Sequence, residues 1–307
     1  FGGGNFASSM ANISFFYPQA KKGATLGMNA GLGNLGVSTV QFLVPLVITV
    51  GLFGALGGEP QTLVKDGVSS QVWLQNAGFI WVPFILAVTA AAWFGMNDIA
   101  SAKASFKDQA IIFKRKHNWI MCYLYTGTFG SFIGYSAALP LLIKTSFPDI
   151  VDPVRFAFLG PLVGALTRPL GGWVADKLGG ARVTMVNFMV MTLAVIGVLL
   201  FLPDEAGGGN FIGFLAMFLL LFATTGIGNG STFLMIPAIF RTEHERAAAG
   251  RGEGALAEAR RAAQKESAAT LGFTSAIAAY GAFFIPKSFG TSVALTGGAQ
   301  TALYCFV

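Results

Sequence analysis

The chain has 307 residues, of which 54% are apolar types and only 11% are charged, with a mean hydropathy of +0.64. A soluble domain carries about a quarter charged residues, so charge cannot cover this surface and lipid must. The net charge of +6 is spread over connections and never forms a basic face interleaved with aromatics, which excludes a nucleic-acid-binding domain.

Apolar runs of about 20 residues cross a bilayer as helices, and nine such segments follow one another. The first, roughly 1–17, reads as truncated: there is no initiator Met or signal peptide, and the chain opens inside apolar sequence, "FGGGNFASSMANISFFYP". The second, 24–54, belongs to "KKGATLGMNAGLGNLGVS", in which Gly23, Gly27 and Gly31 repeat at four-residue spacing, the small-xxx-small pattern of close helix contact. The third to sixth cover 73–96, 118–143, 154–174 and 183–203. The seventh, 210–240, contains "GIGNGSTFLMIPAIF", and the eighth covers 267–290. The ninth starts near 299 and stops at "TALYCFV". The second and seventh exceed bilayer thickness and must tilt, bend or project. The short alternating strands of a membrane barrel are absent from this reading. The connection at 242–266 reads as a partly helical, solvated stretch interrupted by Gly250, Gly252 and Gly254.

Orientation follows from the basic residues. Lys21 and Lys22; Lys103, Lys107, Lys114, Arg115 and Lys116; Lys177 and Arg182; and Arg241, Arg246, Arg251, Arg260, Arg261 and Lys265 fall after the first, third, fifth and seventh segments. The intervening connections hold only Lys65, Lys144, Arg155 and Lys287. The positive-inside rule puts the first set in the cytoplasm.

The chain also repeats itself. Gly4, Asn5 and Phe16 align with Gly228, Asn229 and Phe240, and each copy continues through a basic connection into "ATLG", at Ala24–Gly27 and Ala269–Gly272. The two copies run in the same direction on the same side of the membrane, as in two parallel six-span halves. On that basis the fold class is an all-α membrane protein of the major facilitator kind: a fragment with about seven complete and two truncated transmembrane helices of an expected twelve. Residues 1–97 would end the N-terminal half, 98–117 would link the halves in the cytoplasm, and 118–307 would be the C-terminal half. "GGWVADKLGGAR" (171–182) resembles the cytoplasmic signature loop of that superfamily.

One charged residue stands apart. Arg168, in "LVGALTRPLGGWVAD", precedes Asp176 by eight residues, roughly 12 Å along a helix, near the middle of a hydrocarbon core about 30 Å thick. No buried Asp or Glu is available to it, so an anionic substrate is the simplest partner. Asn5, Asn34 and Asn229 reach similar depth, as do Tyr125, Phe129 and Phe6. Guanidinium and amide donors could hold a small planar anion in its plane, with rings above and below. For Asn34 and Asn229 interhelical hydrogen bonding is an equally good reading. For the rings and glycines packing is the commoner role.

These motifs closely resemble the paired signatures of the nitrate/nitrite porter family, the NarK-like branch of the major facilitator superfamily. "TGTFGSFIGYSAALPLLIKTSFPD" and "FLGPLVGALTRPLGGWVADKLGG" look like that family's seventh and eighth spans. The resemblance implies a multi-pass inner-membrane porter, expected to be monomeric, that moves nitrate and nitrite by alternating access. It implies a pair of arginines clamping the anion, with Arg168 matching the one of the C-terminal half. Tyr125, Asn34, Phe6 and Phe129 match site positions, and Gly228, Asn229 and Ser231 match the second signature. Ala30 stands where some members have glycine.

No catalytic residue, metal or cofactor is expected. Cys122 and Cys305 have no ligand spacing, His117 and His244 sit in charged connections, and no nucleophile–base pair or phosphate loop lies at membrane depth. Nitrate/nitrite antiport is the leading expectation. Nitrate/proton symport, a porter for another small anion, and a non-transporting sensor or assembly subunit are the rivals.

Overall fold

The computed structural model describes residues 9–10, 12–13, 15–65, 67–97, 105–149, 154–203 and 208–306. Gly4, Asn5 and Phe6 lie outside them, whereas Phe16 and Ala24–Gly27 of the first repeat copy are described. The described residues form an all-α membrane protein, in which six stretches are long and apolar enough to cross a bilayer.

The first long helix, α1 (Gln19–Val47), is followed by turns and a short 3-10 helix, Gly54–Gly57. The second predicted segment thus stops short of residue 54 and starts earlier, within the basic connection. Next comes an element that the sequence reading passed over. Strands β1 (Gln61–Lys65) and β2 (Val68–Val72) pair antiparallel, Lys65 opposite Val68. The signal was "KDGV", an Asp-Gly hairpin turn, and Gly67 has φ +79°. Among the described residues it is the only sheet, a largely exposed two-stranded hairpin. A single turn, Asn76–Phe79, leads into α2 (Val82–Gly95), which buries none of its residues.

The remaining helices pack as one body. Helix α3 (Lys116–Tyr125) passes through one turn of π-helix, Thr126–Gly130, into α4 (Ser131–Ser146). Helices α5 (Leu159–Leu178) and α6 (Gly180–Phe201) meet at Gly179, whose φ of +89° only glycine adopts without strain. The expected loop at 171–182 is therefore one residue, with Asp176 and Lys177 still helical. Helix α7 (Phe211–Ala248) holds 38 residues, about 57 Å at 1.5 Å per residue, so it projects well past the bilayer. Helix α8 (Glu253–Ala279) continues through Tyr280 into α9 (Gly281–Thr296), and α10 (Gln300–Tyr304) follows.

The break between α7 and α8 is only Ala249–Gly252, with Gly250 and Gly252 at φ +80° and +89°. Gly254 does not interrupt the helix. The connection at 242–266 is thus largely helical and largely exposed, broken at Gly250 and Gly252 but not at Gly254. Lys287 likewise lies inside α9, exposed, where the eighth segment runs on past residue 290. Arg168 is therefore not the one charge inside a helix, but it is buried where Lys287 is not.

Helix α5 crosses α7 with backbone against backbone. A Cβ on Gly171 would meet the backbone of Ile227, and one on Gly226 would meet Gly164 and Thr167. Helix α1 also packs on α5 and touches α7. A Cβ on Gly31 would sit 3.1 Å from the Ala165 carbonyl and the Pro169 ring, and one on Gly27 would be 3.6 Å from Pro169 Cα. This is the close contact that the four-residue glycine spacing predicted. Farther from the basic end, Gln41 Nε2 donates to the Ser136 carbonyl at 2.8 Å, and Phe42 meets Phe158 with centroids 5.2 Å apart.

Candidate functional site

Helix α5 brings Arg168 inward, with none of its surface exposed to solvent. Helix α3 brings Tyr125 to it, and Nη2 of Arg168 donates to the Tyr125 hydroxyl at 2.7 Å. Tyr125 is also fully buried.

Three rings surround the guanidinium. Its central carbon lies 6.0 Å from the Tyr125 centroid, 5.6 Å from Phe129 and 5.2 Å from Phe233, all within cation–π range. Tyr125 and Phe129 stack at 5.0 Å with 13° between planes, and Phe233 tilts against Tyr125 at 4.5 Å. Phe129 lies within the π-helical turn Thr126–Gly130 that follows Tyr125, and such turns often mark functional positions.

The electrostatics are unbalanced. Arg168 Nε and Nη1 have no hydrogen-bond partner. Among the described residues the ion pairs cluster at the basic end, and none involves Arg168. A buried cation left so poorly matched costs several kcal/mol. The rings recover only part of that cost, about 0.5–2 kcal/mol for each good contact.

Asn229 is fully buried on α7, one turn before Phe233, and neither its Oδ1 nor its Nδ2 has a partner. On α1, Asn34 is 9% exposed with Nδ2 unpartnered, and Ala30 is buried one turn earlier. Ala30, Tyr125, Phe129 and Phe233 belong to one continuous core. Arg168, Tyr125 and Phe129 thus come together, with the unsatisfied amides of Asn229 and Asn34 on the two helices that flank α5. Phe6 lies outside the described residues.

Two other candidates face elsewhere. Ser231 shares a 2.8 Å hydrogen bond with the Thr184 hydroxyl of α6 and donates to the Gly228 carbonyl at 3.1 Å. A Cβ on Gly228 would lie 2.5 Å from Thr128 Cγ2 and 2.7 Å from Asn187 Nδ2. Both residues are engaged in packing α7 against α6 and the π-turn. Phe233, by contrast, was not singled out from the sequence. The available signal was its position four residues after Asn229, which puts both on one helix face.

Arg168 Nε and Nη1, Asn34 Nδ2 and both side-chain polar atoms of Asn229 are buried without a hydrogen-bond partner, and three rings pack around the guanidinium. No group of three or more His, Cys, Asp or Glu that could hold a metal occurs among the described residues.

No family model matches the chain. Individual relatives do. It is 52% identical over 309 residues to the nitrate/nitrite transporter NarU of Salmonella typhimurium and 51% identical over 310 residues to NarU of Escherichia coli, in each case across 100% of this chain and 65% of the relative. It is 40% identical over 307 residues to a probable nitrate/nitrite antiporter, NarK2, of Thermus thermophilus, across 99% of this chain and 64% of the relative. The chain therefore spans just under two thirds of the length of these relatives. The likeness runs along the whole chain: this all-α membrane scaffold with its fully buried arginine is similar to the NarK-like nitrate/nitrite transporters.

Proposed function

We propose that the protein is a secondary transporter, not an enzyme, that exchanges nitrate and nitrite across the inner membrane by alternating access. The observation that carries this reading is Arg168, fully buried with Nε and Nη1 unpartnered beside a tyrosine hydroxyl. A planar oxyanion takes donors in its own plane, and guanidinium offers two in a fixed fork. Tyr125 fixes the fork and adds a third donor. Phe129 and Phe233 limit the cavity and reject larger hydrated ions. Asn34 and Asn229 supply amide donors from α1 and α7, with Ala30 leaving room beside Asn34. Phe6, Gly228 and Ser231 remain candidates for contact by resemblance.

Exchange follows from the same cation. An empty site would have to reorient through a closed, low-dielectric state with its guanidinium unpaired, a cost of several kcal/mol. A loaded site avoids that cost, so the return step favours an anion too. Nitrate against nitrite at one to one moves no net charge. The protein is proposed to work as a monomer, with residues 1–97 and 118–307 belonging to two halves linked through 98–117 and the anion held between them.

The test is counterflow in proteoliposomes holding the full-length protein. Labelled nitrate should enter against internal nitrite without a pH gradient. Uptake that requires the gradient and ignores internal nitrite would establish proton symport instead. Exchange of formate or chlorate in preference to nitrate would assign a different anion, and binding without flux would make the protein a sensor.

A further inference from the structure

Helices α4 and α5 each carry an internal proline, Pro140 and Pro169. Proline has no N–H, so the carbonyl four residues earlier loses the bond that a regular helix would give it. Those carbonyls belong to Ser136 and Ala165, and α1 meets both. Gly31 lies against the Ala165 carbonyl and the Pro169 ring, where an added Cβ would sit 3.1 Å from each. Ten residues farther along α1, roughly 15 Å at 1.5 Å per residue, Gln41 Nε2 donates to the Ser136 carbonyl at 2.8 Å.

Gly27, Gly31, Asn34, Ser38 and Gln41 recur at alternating four- and three-residue spacing on one face of α1, so both contacts lie on a single seam. They differ in kind. Gly31 has no side chain, so α1 can tilt on the Ala165–Pro169 surface without breaking a hydrogen bond. Gln41 makes a directed bond through its donor end, while its Oε1 is buried with no partner. Ser136 turns its own hydroxyl back to the Phe132 carbonyl at 2.6 Å, which leaves Gln41 to satisfy the carbonyl that Pro140 frees. Beside this bond Phe42 packs on Phe158, with ring centroids 5.2 Å apart.

The positions of the two contacts matter. Gly31 meets α5 level with the buried arginine, since Pro169 follows Arg168 directly. Gln41 lies toward the Val47 end of α1, away from the basic connections and so on the outer side. We infer that Gln41 and the Ser136 carbonyl form a latch that holds the outer side of the site shut, and that α1 pivots on Gly31 when the latch opens. The inference rests on the alternating-access reading, in which α1 and α4 belong to different halves. Separating the halves on the outer side breaks the Gln41 bond and the Phe42–Phe158 contact together. The Ser136 carbonyl then has no N–H on its own helix to return to and must take water instead. Loss of one neutral hydrogen bond corresponds to about a two- to tenfold shift toward the open state.

Ser38, buried on the same face of α1 between Asn34 and Gln41, is the place to watch the latch. The full-length protein, with its other cysteines replaced by alanine, carries Ser38→Cys in right-side-out vesicles. A membrane-impermeant maleimide is added outside. Gln41→Met keeps the length of the side chain and removes the donor, and it should speed labelling about two- to tenfold. Pro140→Ala restores an N–H for the Ser136 carbonyl within α4, so it should speed labelling too. It gives the readout without touching α1 should Gln41→Met fold poorly. The double variant should label no faster than the faster single one, because both changes remove the same bond. Labelling at the parent rate in Gln41→Met and Pro140→Ala overturns the latch. Additive acceleration overturns the assignment of the Pro140-freed carbonyl as its acceptor. Nitrate–nitrite counterflow in the same vesicles separates the two readings: its absence from the parent protein would sink exchange, while the labelling ratios still decide the latch.

Discussion

The backbone of Gly230 on α7 rests directly on the carbonyl of Arg168 on α5. A Cβ added at Gly230 would collide with that oxygen and come within 2.5 Å of the Gly172 nitrogen. The helix that presents the guanidinium is therefore positioned by a glycine of the second signature motif. Gly230→Ala should lower the detergent melting temperature by an amount equivalent to about 1–3 kcal/mol of overpacking and reduce nitrate exchange with it. Gly254→Ala, where nothing lies within 4 Å of the added methyl, should be neutral or slightly stabilising. Equal losses in both variants would show that the backbone contact is not what matters.

Arg168→Lys keeps the charge but replaces a planar fork with a point donor. Counterflow should fall by at least about tenfold, equivalent to about 1.4 kcal/mol, while the protein still folds. Native rates in this variant would remove the central argument for the site.

Tyr125→Phe retains the ring stack and takes away the acceptor at 2.7 Å from Nη2. A third guanidinium nitrogen then lacks a partner, and the fork loses its fixed orientation. Nitrate affinity should weaken about tenfold, consistent with a buried hydrogen bond to a charged group. Isothermal titration of purified full-length protein would measure it.

Helices α3 and α8 run parallel in register. Arg115 pairs with Glu266, and two turns deeper Cys122 Sγ lies 3.6 Å from Thr274 Oγ1. Asn118 and Thr270 fall between these rungs, both fully buried, with Asn118 Nδ2, Asn118 Oδ1 and Thr270 Oγ1 unpartnered. Unsatisfied buried polar groups cost about 1–3 kcal/mol each. Asn118→Leu combined with Thr270→Val should therefore hold or raise the melting temperature. A clear drop would mean that these groups have a partner in the working protein.

Glu245 joins α7 to α8 through Arg241 and Arg260, at 2.9 and 2.7 Å. Hydrogen bonds from Arg260 and Arg241 hold its carboxyl below the usual carboxylate range. A group with a depressed pKa contributes stability above its unfolded pKa and loses it as pH falls through its folded pKa. The Glu245 link is thus complete at neutral pH and is lost only in acid. Glu245→Gln should loosen the α7–α8 arm at pH 7, read as faster tryptic cleavage after Arg251, and unchanged cleavage would show that the link does not hold the arm.

The sequence alone determined the membrane class, the helical architecture, the side on which basic residues gather, and Arg168 as an outlying charge. Each depends on a property that a single residue or a local window carries: apolar length, charge asymmetry, or a cation with no nearby acid. It also marked Tyr125, Phe129, Asn34 and Asn229, since depth along a helix can be counted. What it missed was the hairpin at Gln61–Val72, because two short exposed strands give little periodic signal beside a bilayer-length apolar run. The extents of α7 and α8 were also hidden, because helical arms rich in Ala, Glu and Arg have no apolar boundary at the membrane surface.

Only the tertiary structure decided which neighbours each side chain meets. Phe233 joins the rings around Arg168, Ser231 turns to Thr184, and His117 and His244 find their carboxylates on other helices. Such pairings depend on the rotation of each helix about its axis and on its offset along its neighbour. Both are set by backbone-to-backbone glycine contacts such as Gly171 on Ile227 and Gly31 on Ala165, and a one-dimensional pattern fixes neither angle nor offset.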